Sequence, residues 1–256
     1  MNKASKITKA NADSCILEAI DNANNDFISH VKSQLRDLTP YTTASLEWLM
    51  LEHYQFSFSN TRFLAKAAAA TESFDTRAVH EELKRNLAEE NNHAAIYKAA
   101  LMQIDLDVDS RIEFMSTSNF LETMDQLSIQ LPSSVLGTMF ATETAAIFEH
   151  EVFKDISEEV LRRRGLEDTG KQLVWFHDMH LSGVEQSHRN ELGVFLQGLD
   201  FETVVQRRDD RPTIDTHQVA EGAEHAIEAM RLWWADLLAE IKAMSNRDQP
   251  MVATTV

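Results

Sequence analysis

Residues that make turns are scarce in this chain. It holds seven glycines and four prolines in 256 residues, about 4 % against a usual share of roughly 12 %. Sandwiches, propellers and barrels spend Gly and Pro on many tight turns, so those architectures are disfavoured. Long helices joined by few breaks fit the composition. With 43 % hydrophobic residues the chain can bury a core, and its length suits one domain. The reading is an all-α fold, a single seven-helix bundle.

Helical spacing of apolar residues divides the chain. Residues 1–12 read as a disordered tail, 13–246 as the helical domain and 247–256 as a flexible tail. Asp13 or Ser14 is placed to cap a first helix that runs to about Leu38, ahead of Thr39-Pro40. A second helix is expected from Thr43 to Ala70 and a third from Thr76 to Ile104. Asp105–Ser118 reads as a loop, followed by a short helix over 119–129 and a break at Pro132. A long helix is expected over 134–164, capped by Gly165. Further helices are expected over 169–196 and 215–244, with RRDDRP (207–212) in the connection between them.

Charge and cysteine content narrow the function. A formal charge of -17 argues against nucleic acid or an anionic membrane as partner. Apolar runs are too short for a membrane span, and the polar start MNKASKITKANADS has no secretory h-region. A cytoplasmic protein is expected. A single cysteine, Cys15, excludes an internal disulfide and a Cys-rich metal site.

The informative motif is a recurring pair. Glu90-x-x-His93 falls on the third helix and Glu185-x-x-His188 on the sixth. Residues three apart on a helix share a face, so each pair offers one ion a carboxylate and an imidazole. Each pair is preceded by a helix with an inward Glu: Glu52 in LMLEHYQF, and Glu143 on the face of Leu136, Met139, Phe140 and Ile147. One Glu from each of two helices and an E-x-x-H from each of two others is the inventory of di-iron carboxylate bundles. Carboxylates bridge and neutralise two ions, imidazoles fill further positions, and nitrogen and oxygen donors suit iron or manganese. The plain alternative is a salt-linked helical bundle. WFHDMHLSGVEQSH adds His177 and His180. His180 and Glu185 lie about 140° apart on a regular helix, and one wide turn near Gly183 brings them together. His177 reads as a residue behind the ligands or at the surface.

Three segments carry a family resemblance. RNLAEENNHAAIY resembles the third-helix segment of the fatty-acid decarboxylases that make terminal alkenes. FATETAA is similar to their aromatic-Ala-x-Glu-small segment, and WFHDMHLSGVEQSH to the terminal His-x3-Asp-x2-His of the heme-oxygenase-like diiron oxidases and oxygenases, relatives of the TenA and pyrroloquinoline-quinone synthase folds. The resemblance covers about residues 45–195. Two departures stand out. The last motif is one residue longer and carries Glu, as in a subgroup that includes nitrile-forming enzymes. Asn86 stands where many members have a Glu ligand, so Glu90, or alternatively Glu89, takes that role. Glu149 is the alternative to Glu143.

The resemblance implies two irons held by Glu52, His93, Glu143, His180, Glu185 and His188, with Glu90 as a further or labile ligand, and dioxygen as co-substrate. It implies an oxidase or oxygenase acting on a small amino acid or carboxylic acid by desaturation, C–C cleavage, decarboxylation or N-oxygenation. A ferritin-like iron-binding protein and a cofactorless enzyme of the TenA or quinone-synthase type are the competing readings. Tyr54, Phe56, Phe140 and Phe148 are candidates for a pocket wall or for core packing. Arg62, Lys66 and Arg85 are candidates to hold a substrate carboxylate. A homodimer is compatible with the sequence, and Trp233-Trp234 reads as core.

Overall fold

The computed structural model describes residue 7 and residues 15–74, 77–199 and 214–247. The expected tail over 1–12, the caps Asp13 and Ser14, Thr76 at the start of the third helix, the RRDDRP connection and the tail beyond 247 lie outside the described residues. Among the described residues every regular element is a helix: α1 (Ile16–Leu35), α2 (Thr43–Thr71), α3 (Arg77–Glu90), α4 (His93–Met102), α5 (Met115–Leu127), α6 (Pro132–Arg164), α7 (Lys171–Met179), α8 (Glu185–Val194) and α9 (Thr216–Arg247). Two pairs are interrupted rods, α3 with α4 and α7 with α8, so these elements make the expected seven helical rods. No described helix is long and apolar enough to cross a membrane.

Local chemistry sets several boundaries. Thr42 caps α2, its side chain accepting from the Ser45 N–H at 3.3 Å, which satisfies one of the free amides of the first turn. Pro132 opens α6 at its first position, where the missing N–H costs nothing. Gly165 closes α6 in the left-handed conformation, φ 66°.

Two expectations are corrected. The third helix is not continuous: Asn91 and Asn92 interrupt it, and Asn92 has φ -109° and ψ -5°. Asn favours such breaks because its side chain competes for backbone hydrogen bonds. α5 begins at Met115, four residues before the expected start. Its Ser/Thr-rich first turn reads locally as loop, but tertiary contacts hold it. Thr117 is fully buried, and Ser116 Oγ donates to Asp236 on α9 at 2.6 Å.

α6 is the axis of the bundle. Val135 through Glu143 are buried without a break, which marks a helix enclosed on all sides. Its closest neighbour is α9. A Cβ on Gly137 would lie 1.9 Å from the Val219 carbonyl oxygen, and one on Gly222 would lie 2.0 Å from the Ser134 oxygen. The two backbones therefore touch where both helices lack side chains, and Thr138 Oγ1 donates to the Gly222 carbonyl across the seam at 3.2 Å. Trp233 and Trp234 of α9 are buried; both are core.

This contact yields a prediction. Gly222→Ala forces a methyl group against backbone rather than against a movable side chain. It should destabilise the fold by about 1–3 kcal/mol, read as a lowered midpoint in chemical denaturation with an unchanged slope.

Candidate metal centre

The interrupted rods build the site. Glu90 ends α3 and His93 begins α4, so the pair straddles the Asn91-Asn92 break and does not share one helical face. The break still brings them together, with His93 Nδ1 2.9 Å from Glu90 Oε2. On the other rod, His180–Val184 form a single wide π turn in which Gly183 takes φ 114°. A side chain is strained at that φ. The wide turn rotates His180 and Glu185 onto the same side, with His180 Nε2 3.7 Å from Glu185 Oε1. Glu185-x-x-His188 then forms the first turn of α8, where His188 Nδ1 lies 3.9 Å from Glu185 Oε2 and 3.8 Å from Glu143 Oε2.

Three overlapping triads result: Glu90, His93 and His180; His150, His180 and Glu185; and Glu143, Glu185 and His188. In each, one donor atom per residue lies within 4.8 Å of the others. The spacings of 3.7–3.9 Å are too long for hydrogen bonds. They are shorter than two metal–ligand bonds of roughly 2.1 Å placed end to end.

The remaining expected residues sort clearly. Glu52 is buried and lies outside these triads. Arg111 donates to both its oxygens, Nε at 2.7 Å and Nη2 at 2.9 Å, and Thr117 Oγ1 adds a third bond at 2.6 Å. With Trp233 Nε1 donating to Thr117 Oγ1 at 2.9 Å, Glu52 is a structural tie between α2, α5, α9 and the preceding loop. Its inward position was legible in the sequence; its partner Arg111, in a loop 59 residues away, was not. Glu89 accepts from His188 Nε2 at 2.8 Å and so stands behind the imidazole, leaving Nδ1 to face Glu143 and Glu185. Glu149 is buried and accepts from Trp234 Nε1 at 2.8 Å. Asn86 is buried with its amide turned to donate to Glu82. His177 is fully buried, behind the triads.

No protein-family model matches the chain, and no curated protein sequence matches it significantly. Solved structures do. A CADD-like protein of unknown function from Nostoc punctiforme superposes with a TM-score of 0.69 at 19 % identity, over 88 % of this chain and 97 % of that one. A domain of unknown function with a heme oxygenase-like fold from Shewanella denitrificans gives 0.56 at 16 % identity, over 94 % and 95 %. A TenA homolog from Pseudomonas syringae pv. tomato gives 0.62 at 12 % identity, over 93 % and 99 %. The chain has a heme-oxygenase-like fold.

Inside this heme-oxygenase-like bundle the ionisable groups are held away from their ordinary states. Burial pushes the Glu143 carboxyl up to about 7, although the neighbouring His188 opposes the shift. Burial and the adjacent Glu143 hold Glu185 well above the usual carboxylate range. Burial lowers His180 to about 4 and His53 to about 3, and holds His150 and His177 well below the ordinary imidazole value. Neutral imidazoles, and carboxyls from which a bound cation displaces a proton to solvent, form a donor set that fits a metal ion. Glu90 Oε1 is buried with no hydrogen-bond partner, and a cation at its triad would satisfy it. The residues fit two ions bound by nitrogen and oxygen.

Sequence reasoning missed His53 and His150. Neither belongs to an E-x-x-H pair. The available signal was helical phase: His150 is seven residues after Glu143, about two turns along the same face of α6. His53 stacks on Phe153 with ring centroids 3.8 Å apart, and its Nδ1 meets the buried Tyr97 hydroxyl at 3.3 Å.

Metal uptake should depend on pH in a defined direction. An ion must displace the proton of Glu143, so binding releases protons. Affinity for Mn(II), read by calorimetry in two buffers of different ionisation enthalpy, should rise with pH through 7 and continue to rise above it, because Glu185 as well as Glu143 is held up. The slope should be roughly ten-fold per pH unit for each proton displaced.

Proposed function

We propose that this protein is a non-heme diiron oxidoreductase, an oxidase or oxygenase that uses dioxygen to transform a small amino acid or carboxylic acid. The observation that carries the reading is the set of three overlapping His/Glu triads in a buried cavity, built from both interrupted rods and α6. Glu90, His93, Glu143, His180, Glu185 and His188 are the proposed ligands; Glu52 is left out because Arg111 neutralises it.

Two bound ferrous ions supply the electrons and open coordination positions that activate dioxygen. The chain supplies the rest. Phe176 fixes one ring by accepting from His180 Nδ1 at 2.8 Å; a carbonyl only accepts, so His180 Nε2 keeps its lone pair toward the cluster. Glu89 fixes His188 in the same way from the other nitrogen, an arrangement that raises ligand basicity. Phe56, Thr142 and Ala146 help line a cavity of about 30 Å³ beside Glu90, Glu143, His180 and Glu185. That is room for one or two molecules of water size, which limits bulk water at the reacting centre.

Substrate recognition follows from charge. Among the described residues no Lys or Arg lines the cavity. Arg62 and Lys66 both pair with Asp125, and Arg85 pairs with Glu82, Glu89 and Glu191. Metal ions held by the triads would be the positive charge offered to a substrate carboxylate, and Ser57 and Asn60 offer neutral hydrogen bonds beside them. Of the aromatic candidates, Phe56 lines the cavity, whereas Phe140 and Phe148 are core.

Anaerobic Fe(II) titration tests the reading. Uptake should saturate near two irons per chain, and admission of oxygen should consume dioxygen and give a transient visible band. His188→Ala should lose iron while keeping its helical circular dichroism. Uptake of many irons per chain supports storage instead; no uptake, with a flat spectrum, contradicts both readings.

A further inference from the structure

We infer that His150 is a metal-binding residue of this centre, sharing an ion with His180 and Glu185, and that Glu185 links that ion to the one faced by Glu143 and His188. The inference rests on the two-metal reading above and adds a ligand to it.

His150 has a free, aimed nitrogen. Its Nε2 lies 3.8 Å from Glu185 Oε1, the same oxygen that His180 Nε2 faces at 3.7 Å. The two imidazoles stack with centroids 3.9 Å apart and planes 11° from parallel, so both present nitrogen to one side. Neither nitrogen is hydrogen-bonded to Glu185 at these distances. His180 Nε2 also meets His93 Nδ1 at 3.0 Å; an ion between the three atoms takes the place of that contact and satisfies His150 Nε2 and Glu185 Oε1 together.

The other nitrogen of His150 is already engaged. Nδ1 lies 3.1 Å from Nδ1 of His177, and both rings are buried. With the proton on Nδ1, His150 donates to His177 and keeps its lone pair on Nε2, toward Glu185. A ligand imidazole held from behind through its second nitrogen is the usual arrangement at metal sites. His177 is thus a positioning residue, and this accounts for a histidine that the ligand triads leave unused.

Glu185 faces two ways. Oε1 points to His150 and His180, and Oε2 points to His188 Nδ1 at 3.9 Å. A carboxylate set this way has one oxygen for each of two ions. The geometry depends on the wide turn at Gly183, which swings Glu185 between the α6 histidine and the α8 histidine. His180 has one nitrogen to give, because its Nδ1 is bound to the Phe176 carbonyl. His150 therefore adds a donor where His180 and Glu185 are shared between triads.

The test uses the full chain labelled with ¹⁵N-histidine and loaded with Zn(II), with metal-shifted imidazole nitrogens counted by NMR beside the same measurement on His150→Gln. The inference expects four shifted rings in the wild type, from His93, His150, His180 and His188. It expects three in His150→Gln, with one of the two zinc-binding steps weakened at least ten-fold and circular dichroism unchanged. Three shifted rings in a wild type that binds two ions, or an unchanged isotherm in His150→Gln, overturns it while leaving the two-metal reading intact. A wild type that takes up no metal overturns both. The wild-type count does not depend on whether the variant folds.

Discussion

Burial of an unbalanced set of acids and imidazoles is the constraint on which the rest of this structure depends. Removing a charge from water costs several kcal/mol unless it is paired. The bundle deals with its inward carboxylates in three distinct ways. Glu52 is paired outright with Arg111. Glu149 is buried and accepts one hydrogen bond, from Trp234. Glu90, Glu143 and Glu185 face histidines and one another with no arginine or lysine in the cavity among the described residues, and Glu143 and Glu185 are pushed toward their neutral forms. The third group is the one we propose is balanced by bound metal ions.

The fold serves that group. Close contact of α6 with α9 through Gly137 and Gly222 keeps α6 at the centre, so Glu143 and His150 stand in the interior. Breaks in the flanking rods do the finer positioning. Asn91-Asn92 turns His93 back toward Glu90, and the wide turn at Gly183 brings His180 and Glu185 to one side. A regular helix at the second place would direct His180 and Glu185 to different faces. Both interruptions fall at the proposed ligands, and the one at His180–Val184 is a π turn, a feature frequent at functional sites.

Much of this was legible in the sequence, for physical reasons that differ by element. Scarce Gly and Pro and the helical spacing of apolar residues gave the rods, and Gly165 gave the end of α6. The pairs Glu90/His93 and Glu185/His188 stood out because residues three apart fix a local geometry. The wide turn was predictable because His180 and Glu185 are misaligned on a regular helix and Gly183 lies between them. Contacts distant in the chain were hidden. Glu52 looked like a ligand because its burial shows in the pattern and its Arg111 partner does not. Thr117 looked like loop because its bonds to Glu52 and Trp233 are tertiary. His150 and His53 each directly follow a glutamate and belong to no Glu-x-x-His pair that would mark them.

The central claim is that these triads hold two metal ions. Diffraction from crystals grown anaerobically with Fe(II), recorded on both sides of the iron absorption edge, tests it most directly. The account predicts two anomalous peaks in the cavity, one beside His150 and His180 and one beside Glu143 and His188, with Glu185 between them. Iron bound elsewhere on the chain, with no peak in the cavity, would contradict it.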